Sequence, residues 1–158
     1  MTDPEPRAAR LAAEVAEWAG GSGVTVAAAE SLTGGQVCAA LAAAEGASAW
    51  YRGGIVAYAS AVKHELLGVE DGPVVSAPAA EQMATGTLRL LGADVAVAMT
   101  GAGGPDPQDG QPPGTVFLAV AGRGPLTVAH RRFDGPPGQV CERTVHLALE
   151  LLVERLRG

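Results

Sequence analysis

A single lysine, Lys63, stands in a chain whose other ten basic side chains are all arginine. An arginine does not surrender its proton in a protein, whereas a lysine desolvated in a cleft has its pKa lowered far enough to act as a base. A serine hydroxyl becomes a nucleophile only when something takes its proton, and lysine is an established substitute for histidine in that role. Ser31 is the serine best placed to use such a base, because "ESLTGG" (30 to 35) ends one apolar run and opens a helix-forming one. Tyr58, five residues before Lys63, is positioned for its hydroxyl to relay a proton or orient the amine. No local S-x-x-K or G-x-S-x-G pattern links these residues, so on the residues alone a solvated Lys63 stays open beside a Ser31–Lys63 dyad.

Two glycine-rich turns accompany the pair. Thr33, Gly34 and Gly35 would put unpaired backbone N–H groups at a helix N-terminus, where the helix dipole favours a phosphate or an oxyanion. The plainer reading is that Ser31 or Thr33 caps the helix while the glycines permit the turn. Thr100, Gly101, Gly103 and Gly104 in "TGAGGP" (100 to 105) offer further N–H groups, but the spacing fits neither G-x-G-x-x-G nor a P-loop. Asp106 and Asp109 read as turn residues, since two carboxylates without a third fall short of a metal loop.

These residues need elements to hold them. Ala8, Leu11, Val15 and Trp18 recur at helical spacing before "GGSG" (20 to 23) breaks the chain. "VTVAAA" (24 to 29), "GGIVAYA" (53 to 59) and "VAVAM" (95 to 99) are short apolar runs of the kind buried inside a sheet. The segment 32 to 45 is rich in helix formers, and a short helix is expected around Lys63 to Leu67. Ser76 is a candidate N-cap with Pro78 in the first turn of a helix reaching "LGAD". "TVFLAV" and "LTVAHRRF" are separated only by "AGRGP", which implies a hairpin and therefore a mixed sheet. Leu149, Leu152, Val153 and Leu156 mark a last helix from about Gln139 to Arg157. The pattern predicts a three-layer α/β/α sandwich on a mixed, mainly parallel sheet of about five strands. In open α/β sheets ligands bind at the carboxyl ends of strands, where "ESLTGG", "YASAVK" and "TGAGGP" all fall.

Composition sets the outer limits. A chain of 158 residues, 47% hydrophobic, suits one domain over 1–158. A net charge of -6 with scattered arginines gives no footprint for nucleic acid or an anionic membrane. No apolar run approaches the length of a membrane span and "MTDPEPRAAR" lacks signal-peptide blocks, so a cytoplasmic protein is expected. Cys38 and Cys141 lie far apart with no CxxC pairing, and no metal site is expected from His64, His130 and His146.

In order, "AESLTGG", "GGIVAY", "KHELLGV", "VVSAPAAEQMA", "TGAGGP" and "PPGTV" resemble the C-terminal domain of the competence/damage-inducible protein CinA, including its stand-alone members, over about residues 8 to 156. The resemblance implies a three-layer sandwich and hydrolysis of the carboxamide of nicotinamide mononucleotide to nicotinic acid mononucleotide and ammonia. It also implies Ser31 as nucleophile, Lys63 as its base, Tyr58 assisting, no cofactor, a small nucleotide substrate and a homo-oligomer. Backbone N–H groups around Thr33 and Gly34 are the expected oxyanion donors, with "TGAGGP" the expected place for ribose and phosphate. Leu32, Ser60, "PVVS" and Gln111 depart from the family's usual residues, and the most serious departure is in "DGPPGQVCERTV" (134 to 145), through Gly135 to Gly138, where Pro137 and Cys141 stand in place of the family's usual arginines. Arg143 or Arg132 would then have to supply the phosphate grip. Two other functions fit the same residues: a nucleotide-binding module without turnover, and an amidase for another small carboxamide.

Overall fold

The computed structural model describes residues 5–158, so "MTDP" at the start lies outside the described residues. Continuous apolar runs become strands buried on both faces: β1 (Val26–Glu30), β3 (Val95–Gly101) and β4 (Thr115–Ala121) have every residue buried. With β2 (Tyr51–Val56) and β5 (Thr127–Arg132) they form a five-stranded sheet in the order β2-β1-β3-β4-β5. β1 runs parallel to β2 and β3, and β4 pairs antiparallel with both β3 and β5, giving the mixed sheet that the hairpin required.

Period-two alternation then divides the sheet between two helical layers. Val26 and Ala28 of β1, Val95, Val97 and Met99 of β3, and Val116, Leu118 and Val120 of β4 pack with α1 (Arg7–Ser22), α2 (Gln36–Ala43), α3 (Ala47–Trp50) and α6 (Pro137–Arg157). The opposite face carries Ala29, Ala98, Ala119 and Ala121 beneath α4 (Ser60–Leu67) and α5 (Ala77–Leu91). Small residues continue onto α5 itself, where Ala79, Ala80 and Ala84 are buried and Gly86 lies so close to the end of α4 that an added Cβ would collide with the Leu67 carbonyl. Ser76 caps α5 as the sequence predicts, its hydroxyl accepting from the Ala79 N–H at 3.2 Å.

α1 ends within "GGSG" as the sequence predicts, at Ser22, and Gly23 with a φ of 68° forms its left-handed cap. Other details differ from the expectation. Trp18, expected on its buried stripe, is 42% exposed, because Ala19 occupies the core position four residues after Val15. α2 begins only at Gln36, leaving Ser31 to Gly35 as a turn. The single-turn α3 has no counterpart in the sequence reading, since four residues give no measurable period. Thr100 and Gly101 belong to β3 rather than to the loop after it, paired with Phe117 and Val116.

Candidate active site

β1 ends in a buried acid, Glu30, and the chain then turns sharply through Ser31. Both Glu30 carboxylate oxygens cap α2: Oε1 accepts from the Val37 N–H at 3.0 Å and Oε2 from the Cys38 N–H at 2.8 Å. Neither Ser31 nor Thr33 acts as the helix cap, so the plain capping reading of those residues does not hold. The Glu30 carbonyl meanwhile accepts from the Ala57 N–H at 2.7 Å, tying the end of β1 to the segment that leads into Tyr58. Glu30 therefore locks the turn on both sides. Sequence reasoning missed it, although an acid closing the apolar run "VAAAE" six positions before a helix was the available signal.

α4 returns Lys63 to this turn. Lys63 is 1% exposed and Ser31 6%, and the Lys63 Nζ donates to Ser31 Oγ at 2.9 Å. The structure thus brings the two sequence candidates into contact and removes the solvated reading of Lys63. Burial lowers the Lys63 pKa below the ordinary lysine value, and the negative charge of Asp109 opposes that shift in part. Asp109, read from sequence as a turn residue, does sit at a positive φ of 51°. Its Oδ2 is also in use, accepting from the Val74 and Val75 N–H groups at 2.8 and 3.0 Å.

The second Lys63 hydrogen bond runs to the Tyr58 backbone carbonyl at 3.3 Å. The Tyr58 side chain is 72% exposed, so the expectation that its hydroxyl orients the amine is corrected: the main chain makes the contact. Gly34, expected as an oxyanion donor, spends its N–H on the Ser31 carbonyl at 3.0 Å, and Gln36 spends its own on Thr33. The N–H groups of Leu32, Thr33 and Gly35 have no acceptor among the described residues. Thr33 Oγ1 is likewise buried without a partner among them.

"TGAGGP" packs around this turn in unequal ways. The Thr100 hydroxyl donates to the Val74 carbonyl at 2.7 Å, a bond that fastens the 70–76 segment. Gly101 is required by crowding, since a Cβ would lie 2.8 Å from the Thr115 carbonyl oxygen. Gly103 faces Leu32, with its would-be Cβ 3.8 Å from that side chain, and Gly104 faces Pro113 and Pro137 at the start of α6. Cys141, one turn into α6, donates its thiol to the Leu32 carbonyl at 3.2 Å, so the departing segment abuts the serine turn directly. Arg143 does not join it. It follows Cys141 by two residues, about 200° around the helix, and lines a groove with Arg131, Phe133 and His146. Among the described residues no group of three His, Cys, Asp or Glu side chains could hold a metal ion. No helix among them is long and apolar enough to cross a membrane.

Replacing Glu30 by Gln keeps one acceptor but turns an amide donor toward a backbone N–H. We expect a stability loss of about 2 kcal/mol, read as a lower urea midpoint with an unchanged slope.

Fold and turn together define an α/β protein that buries a serine–lysine pair at the carboxyl edge of its sheet. The chain matches the model of the CinA C-terminal domain over residues 8–156, and it belongs to that family. A CinA-like protein of Mycolicibacterium vanbaalenii is 42% identical over 144 residues, covering 87% of this chain and 34% of the relative. A second CinA-like protein, of Frankia casuarinae, is 40% identical over 139 residues, covering 85% and 32%. The chain thus spans about a third of the length of these relatives. A solved CinA superfamily protein of Klebsiella pneumoniae superposes with a TM-score of 0.90 at 35% identity, over 95% of this chain and 98% of that one. The competence/damage inducible protein CihA of Agrobacterium tumefaciens gives 0.90 at 33% identity, over 98% and 99%.

Proposed function

We propose that this protein hydrolyses the carboxamide of nicotinamide mononucleotide to nicotinic acid mononucleotide and ammonia. The observation that carries the reading is the buried 2.9 Å contact between Lys63 Nζ and Ser31 Oγ. Lys63, neutral when it acts, takes the hydroxyl proton as Ser31 Oγ bonds to the carboxamide carbon. The tetrahedral oxyanion is held by the N–H groups of Leu32 and Thr33, each donor contributing on the order of 3 kcal/mol. The lysine ammonium returns its proton to the departing nitrogen, the C–N bond breaks, and ammonia leaves an acyl-serine. Water activated by the same lysine cleaves the ester, releasing the acid and restoring Ser31. The Tyr58 carbonyl steadies the amine in both protonation states. Gly103, on the Leu32 side of the turn, contributes to the wall of the substrate site, while Thr100 and Gly101 shape it from behind.

The altered α6 segment favours a second reading, an amidase for a smaller carboxamide, because Cys141 spends its thiol on the protein and offers no charge to a phosphate. Ammonia release from nicotinamide mononucleotide and from nicotinamide, compared as kcat/KM, separates the two. Preference for the nucleotide supports the first; equal or better use of nicotinamide supports the second; no turnover of either overturns both.

Asp109→Asn is informative on the base. An asparagine oxygen still accepts from Val74 and Val75, but the charge that raises the Lys63 pKa is gone. The ascending limb of the pH–rate profile is expected to move to lower pH, and an unmoved or alkaline-shifted limb would speak against Lys63 as the titrating base.

A further inference from the structure

Three arginines and a histidine of this acidic chain line one groove, on the side of α6 turned away from the serine turn. Arg7 of α1, Arg131 and Phe133 at the end of β5, and Arg143, His146, Leu147 and Glu150 of α6 line one groove of about 390 Å³. The α6 residues follow the i, i+3, i+4, i+7 pattern and so share a helix face, distinct from the face on which Cys141 meets the serine turn. Arg131 and Phe133, two apart on an extended chain, point to the same side of the sheet. β5 is the edge strand three positions from β1, about 14 Å across the sheet at ordinary strand spacing.

Charge within the groove does not cancel. Glu150 is its only carboxylate and pairs with Arg7. Arg131 and Arg143 form no ion pair among the described residues, and Arg131 is held by a 2.9 Å bond from its Nη1 to the His130 carbonyl. Two arginines from different elements and a histidine thus line one groove with the half-buried Phe133 and Leu147. Such a groove runs against the chain's net charge of -6. Guanidinium forks match phosphate oxygens two at a time, and an aromatic wall accepts a planar ring.

We propose that this groove is a second ligand site, separate from the serine–lysine centre, that binds a phosphorylated small molecule of the nucleotide class. It does not depend on the proposed hydrolysis, and its test does not use turnover.

The probe is ADP, titrated calorimetrically into the full chain at low ionic strength. Saturable one-to-one binding is expected, weakened about tenfold or more by Arg131→Ala and by Arg143→Ala, as loss of a charge-assisted contact implies. The amides of Ser31 to Gly35 should not shift when ADP is added. Amide shifts on adding ADP to the unaltered protein should centre on Arg131, Phe133, Arg143 and His146, which keeps the test valid if a variant folds poorly. Four results would each overturn the proposal: no binding at millimolar ADP, binding indifferent to both arginine substitutions, amide shifts centred on Ser31 to Gly35, or tighter binding of a duplex oligonucleotide through the same arginines.

Discussion

Ser31→Ala is expected to lower ammonia release from nicotinamide mononucleotide by a factor on the order of 10⁴ or more. Without the oxygen no acyl bond forms at position 31, and the Thr100 hydroxyl, committed to the Val74 carbonyl, does not replace it. The fold should survive. Lys63 keeps its bond to the Tyr58 carbonyl, and the Glu30 carboxylate still holds the turn through Val37 and Cys38. A melting temperature near that of the parent, together with retained substrate binding by calorimetry, would place the loss in chemistry. Substantial turnover in the variant would remove Ser31 as nucleophile.

The second large effect is at Lys63. Lys63→Arg preserves positive charge and removes the base, and turnover should fall by about 10³-fold. Lys63→Met should be equally inactive yet more stable than the parent near neutral pH. The sign follows from linkage: burial lowers the folded-state pKa of Lys63 below its unfolded value, so between the two the unfolded chain binds more protons. The parent's stability should therefore rise with pH across that window. Below the folded-state pKa both states are charged and the full cost of burying the ammonium applies. Urea midpoints of parent and Lys63→Met should diverge most at the acid end and converge as the ordinary lysine pKa is approached. The same titration predicts parent activity that climbs with pH to a plateau, its midpoint below that of a solvated lysine. A Lys63→Arg variant turning over at near-parent rate would exclude the base role.

The parts most readable in the sequence were those governed by strong local signals. Fully apolar runs marked β1, β3 and β4, the five-residue gap "AGRGP" marked the hairpin, and Ser76 with Pro78 marked the start of α5. Ser31 and Lys63 could be chosen by chemistry, but their contact spans 32 residues and depends on where α4 is laid on the sheet. No periodicity encodes that placement. Tyr58 illustrates the same limit: its position beside Lys63 was legible, whereas which of its atoms would make the contact was not. Glu30 was hidden because a carboxylate at a strand end usually meets water, and only the incoming helix turns it into a buried cap. Arg143 was sought at the serine because sequence distance cannot show which face of a helix a residue occupies; α6 carries it to a different groove.

The alanine-lined face of the sheet gives the chain's small residues a further meaning. Ala98, Ala119, Ala80 and Ala84 look interchangeable, yet they set how deeply α5 lies, and Gly86 passes that depth to the end of α4 that follows Lys63. Close-packed interiors transmit added volume rather than absorb it. A methyl group gained by drift at one of these positions would move the helix that carries the amine, and with it both the reach to Ser31 and the hydration of Nζ. Selection on catalytic basicity would then be felt at residues that never meet a substrate, and the tolerance of this half of the core to mutation should be narrower than its bland composition suggests.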